Sequence, residues 1–128
     1  NEEVRAAMRE MAHPVLRWPG GCFADDYRWR DGIGPRAERP VRVSAHWGVD
    51  EIDENGLGTH EFVDYCRTIG SEPWFGLNLG VDGPREAGDW FEYANFRGDT
   101  TLTRERAANG HPAALDVLYW GIGNESWD

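Results

Sequence analysis

Three strand-like apolar segments alternate with three helical stretches along this chain, and that alternation constrains the fold more than any other feature. Residues 1 to 12 carry Val4, Ala7, Met8 and Met11 at helical spacing, and the His13-Pro14 step disfavours continuing the helix. Val15 to Trp18 follows as a short strand. Thr59 is placed as an N-cap, Glu61 suits the first turn of a helix, and Phe62, Cys66 and Ile69 form one apolar face before Gly70 closes it. Pro73 to Gly80 reads as a second strand. Pro84 stands where the first position of a helix tolerates it, and Ala87, Trp90, Phe91 and Ala94 complete a third amphipathic face. Arg104 to Ala108 is expected to form a helical turn, and Asn109-Gly110 a reverse turn, before a final strand begun near Asp116. Helices between strands imply crossover connections and a parallel sheet.

That final strand runs through Val117, Leu118, Tyr119, Trp120 and Ile122 into Asn124-Glu125. A short run of β-branched and aromatic residues is what a parallel strand looks like when both faces are covered. A carboxyl at its C-terminal end is where a barrel enzyme keeps an acid. Position matters here more than residue type, because 23 Asp and Glu occur in 128 residues and most carboxylates are solvated surface charges. The other two strands also end in unusual chemistry, at Arg17 to Cys22 and at Asn78 to Gly80. One rim therefore gathers the interesting residues, and a (β/α)8 barrel is favoured over an open doubly wound sheet.

Composition removes several classes of function. The formal charge is −10 and no Lys occurs, which speaks against nucleic acid, since such binding draws on clustered Lys and Arg. No Gly-x-Gly-x-x-Gly opens a helix after a strand and no phosphate-binding loop appears, so nucleotide cofactors lose their usual support. Cys22 and Cys66 are too far apart for a metal or redox motif and read as free, buried thiols. His46, His60, Asp25 and Asp26 lack ligand spacing, so no metal and no cofactor are expected, and His60 reads as a helix-start residue. No segment approaches the length of a membrane span and no leader opens the chain, which points to a cytoplasmic protein with no membrane partner. Residues 19 to 58 form a long excursion whose Phe23, Tyr27, Trp29 and Trp47 argue for order. Asp31 to Pro35 reads as a turn.

The motifs carry more than the pattern. RWPGGCFADDYRWRDGIGPR (Arg17 to Arg36), RVSAHWG (Arg42 to Gly48), GTHEF (Gly58 to Phe62), NGHP (Asn109 to Pro112) and YWGIGNESW (Tyr119 to Trp127) resemble glycoside hydrolase family 51, the α-L-arabinofuranosidases. The resemblance extends over nearly the whole chain, in order. It implies a retaining enzyme on a (β/α)8 barrel, of which residues 1–128 supply about three consecutive β/α units as a partial catalytic domain. The rest of the barrel and a C-terminal β-sandwich are expected to lie outside these residues. Carried over position by position, Glu125 matches the general acid/base and Asn124 the residue that hydrogen-bonds the sugar 2-hydroxyl. Arg17 matches an arginine supporting the catalytic carboxylates, Trp47 an aromatic lining the substrate site, and Cys22 a position in the sugar pocket filled by Asn or Cys. The nucleophilic Glu belongs to a later strand. The resemblance further implies an arabinose-containing oligo- or polysaccharide as substrate and a homo-oligomeric full-length protein.

Retention requires one carboxylic acid to protonate the leaving oxygen and a second carboxylate ~5 Å away to attack the sugar carbon. An acid in that role must hold its proton near neutral pH, which takes apolar surroundings and a neighbouring carboxylate. Trp120 and Trp127 are expected to supply part of that wall. A chain with the acid and no nucleophile is expected to be inactive alone, and its uncovered apolar faces to make it aggregate. Two alternatives stay open from the residues: an endo-glucanase or xylosidase-like hydrolase on the same barrel, and a non-catalytic carbohydrate-binding protein whose Trp-rich rim stacks sugars.

Overall fold

The computed structural model describes residues 1–44 and 51–125. Helix α1 (Glu2–Met11) starts on Asn1, whose side chain accepts from the Glu3 N–H, and ends at Ala12 in a left-handed conformation. Strand β1 (Val15–Trp18) follows. The excursion then folds into three short 3-10 turns (Cys22–Asp25, Trp29–Gly32, Arg36–Glu38) and an antiparallel pair, β2 (Arg42–Ser44) with β3 (Glu51–Asp53). Helix α2 (Thr59–Ile69), strand β4 (Glu72–Leu77), helices α3 (Gly83–Asn95) and α4 (Thr101–Ala108), and strand β5 (Tyr119–Ile122) complete the order.

β1, β4 and β5 pair in parallel in that spatial order, with Arg17 opposite Trp74 and Trp74 opposite Tyr119, and with Trp18 opposite Phe75 and Phe75 opposite Trp120. Because side chains alternate across a pleated strand, these two rows lie on opposite faces. The Phe75 row faces the helices: Trp18, Phe75 and Trp120 all pack around Trp90 of α3, with Phe62 of α2 stacked on Trp18. Trp90 is 1% exposed and Phe75 fully buried. Burying one such ring stabilises by about 2–3 kcal/mol, so this aromatic cluster dominates the core. The Arg17 row is open. Trp74 is 38% and Tyr119 46% exposed, and Arg17 lies over the Trp74 ring at 5.6 Å. On the same face Gly121 leaves the room that the ring occupies, since a Cβ there would stand 2.9 Å from Trp74 Nε1.

Several expectations shift. Gly58, not Thr59, caps α2: its N–H donates to Glu61 Oε2 at 2.9 Å, while the Thr59 hydroxyl inside the helix accepts from Trp90 Nε1 at 3.0 Å. The turn expected at Arg104 is an eight-residue helix, because Thr100 and Thr103 cap each other's backbone N–H groups. β5 is not covered on both faces as its composition predicts. It runs from Tyr119 to Ile122 with Ile122 71% exposed, because helices lie on one face of the sheet and no strand pairs with its outer edge among the described residues. In α1 no residue is buried, and Val4 and Met11 stay exposed.

Two buried arginines tie the connections down. Arg39 grips both oxygens of Glu61 (2.8 and 3.2 Å) and the carbonyls of Gly34 and Asn55, which seats the excursion on the start of α2. Arg106, 2% exposed, donates to the carbonyls of Tyr93, Phe96, His111 and Pro112. Surface pairs such as Arg104–Asp99 contribute at most about 1 kcal/mol, whereas removing a donor set like that of Arg106 leaves several carbonyls unpartnered and costs about 3 kcal/mol.

His60 is a helix-start residue as expected, but a buried one. Its Nε2 bonds the Tyr93 hydroxyl at 2.7 Å, its ring stacks on His111 at 3.8 Å, and its Nδ1 has no partner. Burial, then the neighbouring His111, pull its pKa down to about 4. The folded value lies below the unfolded one near 6.5, so the stability from neutral His60 is complete above pH 6.5 and is lost as pH falls toward 4. Urea unfolding should therefore show about 2 kcal/mol less stability at pH 5 than at pH 7 from this group. The His60→Gln protein should lack that part of the slope, and identical slopes would refute the assignment.

Candidate active site

The C-terminal ends of the three parallel strands form one rim, and four of the five residues singled out from the sequence lie on it or beside it. Arg17 is the third residue of β1, and its Nη2 reaches across to Asn124 Oδ1 at 2.6 Å. Cys22 opens the first 3-10 turn, and its thiol donates to Glu125 Oε2 at 3.5 Å. Asn124 and Glu125 follow β5 directly. The structure thus brings Arg17, Cys22, Asn124 and Glu125 into one connected set, although Arg17 and Asn124 are 107 residues apart. Trp47 and Trp127 lie outside the described residues.

The backbone delivers Glu125 by an unusual route. Gly123 has φ 72° and Glu125 itself φ 44°, so two left-handed residues flank Asn124. Glycine takes that conformation freely, but a glutamate pays about 1 kcal/mol of steric strain. The strain turns the chain sharply at the strand end and leaves the Glu125 side chain exposed above the rim. Non-glycine residues held this way concentrate at functional sites.

Trp120 does not wall this site. Its ring packs on Phe75, Trp90 and Phe91 on the helix-facing side, and its indole N–H donates to Val117. The period of two decides the matter: Trp120 shares the Phe75 face, so the rings near the rim are those of the opposite face, with Trp74 under Arg17. Asn78 is also structural. Buried at 6% exposure, it donates to Tyr27 O at 3.1 Å and accepts from the N–H groups of Gly80 and Val81 at 3.0 Å, bracing the turn after β4 against the excursion.

Sequence reasoning missed Asp25 as a site neighbour, weighing it only as a metal ligand. Its Oδ1 accepts the Asn124 N–H at 3.3 Å. The available signal was its place three residues after Cys22, in a turn bound to abut the strand ends. A groove of about 330 Å³ opens beside the site rather than at Glu125, between the 3-10 turns of the excursion and its β2–β3 pair, with Phe23, Tyr27, Asp31, Arg42 and Asp53 along it. A groove needs two walls, and beyond β5 none stands among the described residues.

Partial burial pushes the Cys22 thiol up from its ordinary value, and the hydrogen bond to Glu125 and that carboxylate's charge push in the same direction. Cys66, in the core, is pushed up to about 11. The thiolate is the reactive form, so both should alkylate slowly near neutral pH. Glu125→Gln should speed Cys22 alkylation by iodoacetamide about two- to tenfold at pH 8, followed by mass spectrometry, and leave Cys66 unchanged. No acceleration would contradict the Cys22–Glu125 contact.

Residues 7–128 match the family model described as Alpha-L-arabinofuranosidase 1 domain. An intracellular exo-alpha-L-arabinofuranosidase of Bacteroides ovatus is 45% identical over 125 residues, which is 98% of this chain and 24% of that protein. A probable alpha-L-arabinofuranosidase C of Aspergillus terreus is 41% identical, over 98% of this chain and 25% of its own length. Among solved structures, the alpha-L-arabinofuranosidase of Thermotoga maritima in an arabinose complex superposes with TM-score 0.94 at 43% identity, covering 99% of this chain and 26% of that one. The GH51 arabinofuranosidase of Xanthomonas axonopodis pv. citri gives 0.92 at 46%, over 98% and 25%. The chain spans about a quarter of the length of the relatives it matches. With 98% of its length aligned at better than 40% identity and nearly all of it inside the family model, the chain belongs to the family of the alpha-L-arabinofuranosidase 1 domain, in glycoside hydrolase family 51.

Proposed function

We propose that this chain supplies the acid/base quarter of a retaining exo-α-L-arabinofuranosidase, which releases terminal arabinofuranosyl groups from arabinan, arabinoxylan or their oligosaccharides. The observation that carries the reading is the connected rim set, in which Glu125 and Asn124 stand at the end of β5 and are engaged by Cys22 and Arg17. Parallel strands with helices on one face and an open Arg17–Trp74–Tyr119 face support three consecutive units of a (β/α)8 barrel. In that barrel the open face turns inward.

Glu125 donates a proton to the leaving oxygen and later takes one from water, while a carboxylate on a later strand attacks the sugar carbon. Asn124 has both a donor and an acceptor, which suits a sugar hydroxyl whose bond strengthens in the transition state. Arg17 holds Asn124 in one orientation through its rigid guanidinium. Cys22 lines the sugar pocket, a part the family resemblance also gives to Trp47. The reaction runs on two carboxylates and needs neither metal nor cofactor. Without the nucleophile the 128 residues alone are inactive. The full-length protein acts inside the cell as a homo-oligomer, in line with the intracellular Bacteroides ovatus relative, and no described helix is long and apolar enough to cross a membrane.

In the full-length enzyme, Glu125→Gln should slow unactivated arabinosides by about a hundred- to ten-thousandfold and activated aryl arabinofuranosides far less, because a good leaving group needs no proton. Steady-state kinetics on both substrates decide it. Equal losses would remove the acid role, and turnover of β-glucan or aryl xyloside in preference to arabinofuranoside would replace the substrate.

A further inference from the structure

We infer that Asp25 is a positioning residue for the acid: its carboxylate holds the strained turn at Gly123–Glu125 so that Glu125 meets the leaving oxygen. The inference rests on the acid/base role proposed for Glu125. Two of the contacts that hold Asn124 come from the β1 side, Arg17 to its side chain at 2.6 Å and Asp25 Oδ1 to its backbone N–H at 3.3 Å. Such contacts offset the cost of about 1 kcal/mol for a left-handed glutamate at φ 44°. Arg17 fixes where the side chain of Asn124 points. Asp25 fixes the height of the backbone from which the next residue, Glu125, projects.

Asp25 itself is seated with little freedom. It ends the 3-10 turn Cys22–Asp25, whose Ala24 is 1% exposed and lies against β4 where a Cβ on Gly76 would be 3.3 Å away. Three residues beyond β4, Gly80 faces Asp25 so closely that a Cβ there would fall 2.7 Å from the Asp25 carbonyl oxygen and 2.9 Å from its Cβ. The Gly80 N–H is in turn held by buried Asn78. A line of contacts therefore runs from the end of β4 through Asp25 to the acid turn after β5. The same 3-10 turn carries Cys22, which touches Glu125 directly. Reach and seating of the acid thus come from one small rigid unit.

The test uses the full-length enzyme with Asp25→Ala, Asp25→Asn and Gly80→Ala, and reads kcat/KM on 4-nitrophenyl arabinofuranoside and on an arabino-oligosaccharide. A displacement of about 1 Å costs up to a hundredfold in a positioned reaction. Asp25→Ala should lower the oligosaccharide value about ten- to a hundredfold and the activated value about threefold or less. Asp25→Asn should restore most of it, since its amide oxygen accepts the same N–H, and Gly80→Ala should mimic Asp25→Ala. In Glu125→Gln, adding Asp25→Ala should cost little more. Hydrogen exchange at the Asn124 amide supplies a readout apart from turnover, faster in Asp25→Ala and normal in Asp25→Asn. Equal losses on both substrates, or unchanged exchange, would overturn the positioning role alone. Equal losses on the two substrates in Glu125→Gln would instead remove the acid/base reading, and this role with it.

Discussion

Parallel pairing of β1, β4 and β5 is the constraint from which the rest of this structure follows. A parallel strand cannot return to its neighbour by a tight turn, so each connection must cross the sheet, and every strand finishes on the same rim. The excursion with α2 makes the first crossing and α3 with α4 the second. Residues that are remote in sequence then become neighbours: Arg17, Cys22, Asp25 and Asn124 meet because three strands end together. β1 and β5 are not adjacent, and two strand spacings amount to about 10 Å. The Arg17–Asn124 bond links them across the middle strand, which takes a long side chain.

Aromatic packing fixes the helix side of that sheet, and buried guanidinium groups fix its connections. Arg39 illustrates the division of labour. Desolvating its charge offsets much of the attraction to Glu61, so the pair contributes modestly to stability. What it settles is geometry, since one planar group binds Glu61, Gly34 and Asn55 together and leaves the excursion a single seat at the start of α2. Burial disfavours the Glu61 charge, but the Arg39 hydrogen bond and the N–H groups of the helix start outweigh it and hold the carboxyl below its ordinary value. A fixed excursion matters for the rim, because the turn holding Cys22 and Asp25 is part of it.

The elements were legible in the sequence wherever period and punctuation agreed. Val15–Trp18, the α2 face of Phe62, Cys66 and Ile69, and Ala87, Trp90 and Ala94 of the α3 face lie where their spacing puts them, while Phe91, expected on that same face, is half exposed and Tyr93 is buried in its stead. The rim was legible at two of its three strand ends, after β1 and after β5, whereas Asn78 after β4 braces its own turn. What failed were properties set by partners distant in the chain. Trp120 was assigned to the acid's wall by proximity in sequence, yet the pleat sends it to the other face. Thr59 has the composition of a cap and instead receives an indole N–H from a residue 31 positions later. The Asp25–Asn124 bond joins residues 99 positions apart, and nothing local announces it.

The open face explains why so polar a residue as Arg17 sits in the middle of a strand. On a sheet face destined for bulk water its charge would be unremarkable, but there Trp74 and Tyr119 beside it would have no reason to be aromatic. On a face packed wholly with apolar side chains a lone guanidinium would cost several kcal/mol. The row fits an intermediate setting, such as the inner face of the barrel proposed above, where aromatic area fills space and one charge is satisfied by ring and amide together. Arg17 has both, with the Trp74 ring at 5.6 Å and Asn124 at 2.6 Å. Gly121 completes the fit by yielding its volume to the Trp74 ring. The same arrangement that fills this face therefore orients the amide next to Glu125, so packing and the rim contacts share their residues at this end of the sheet.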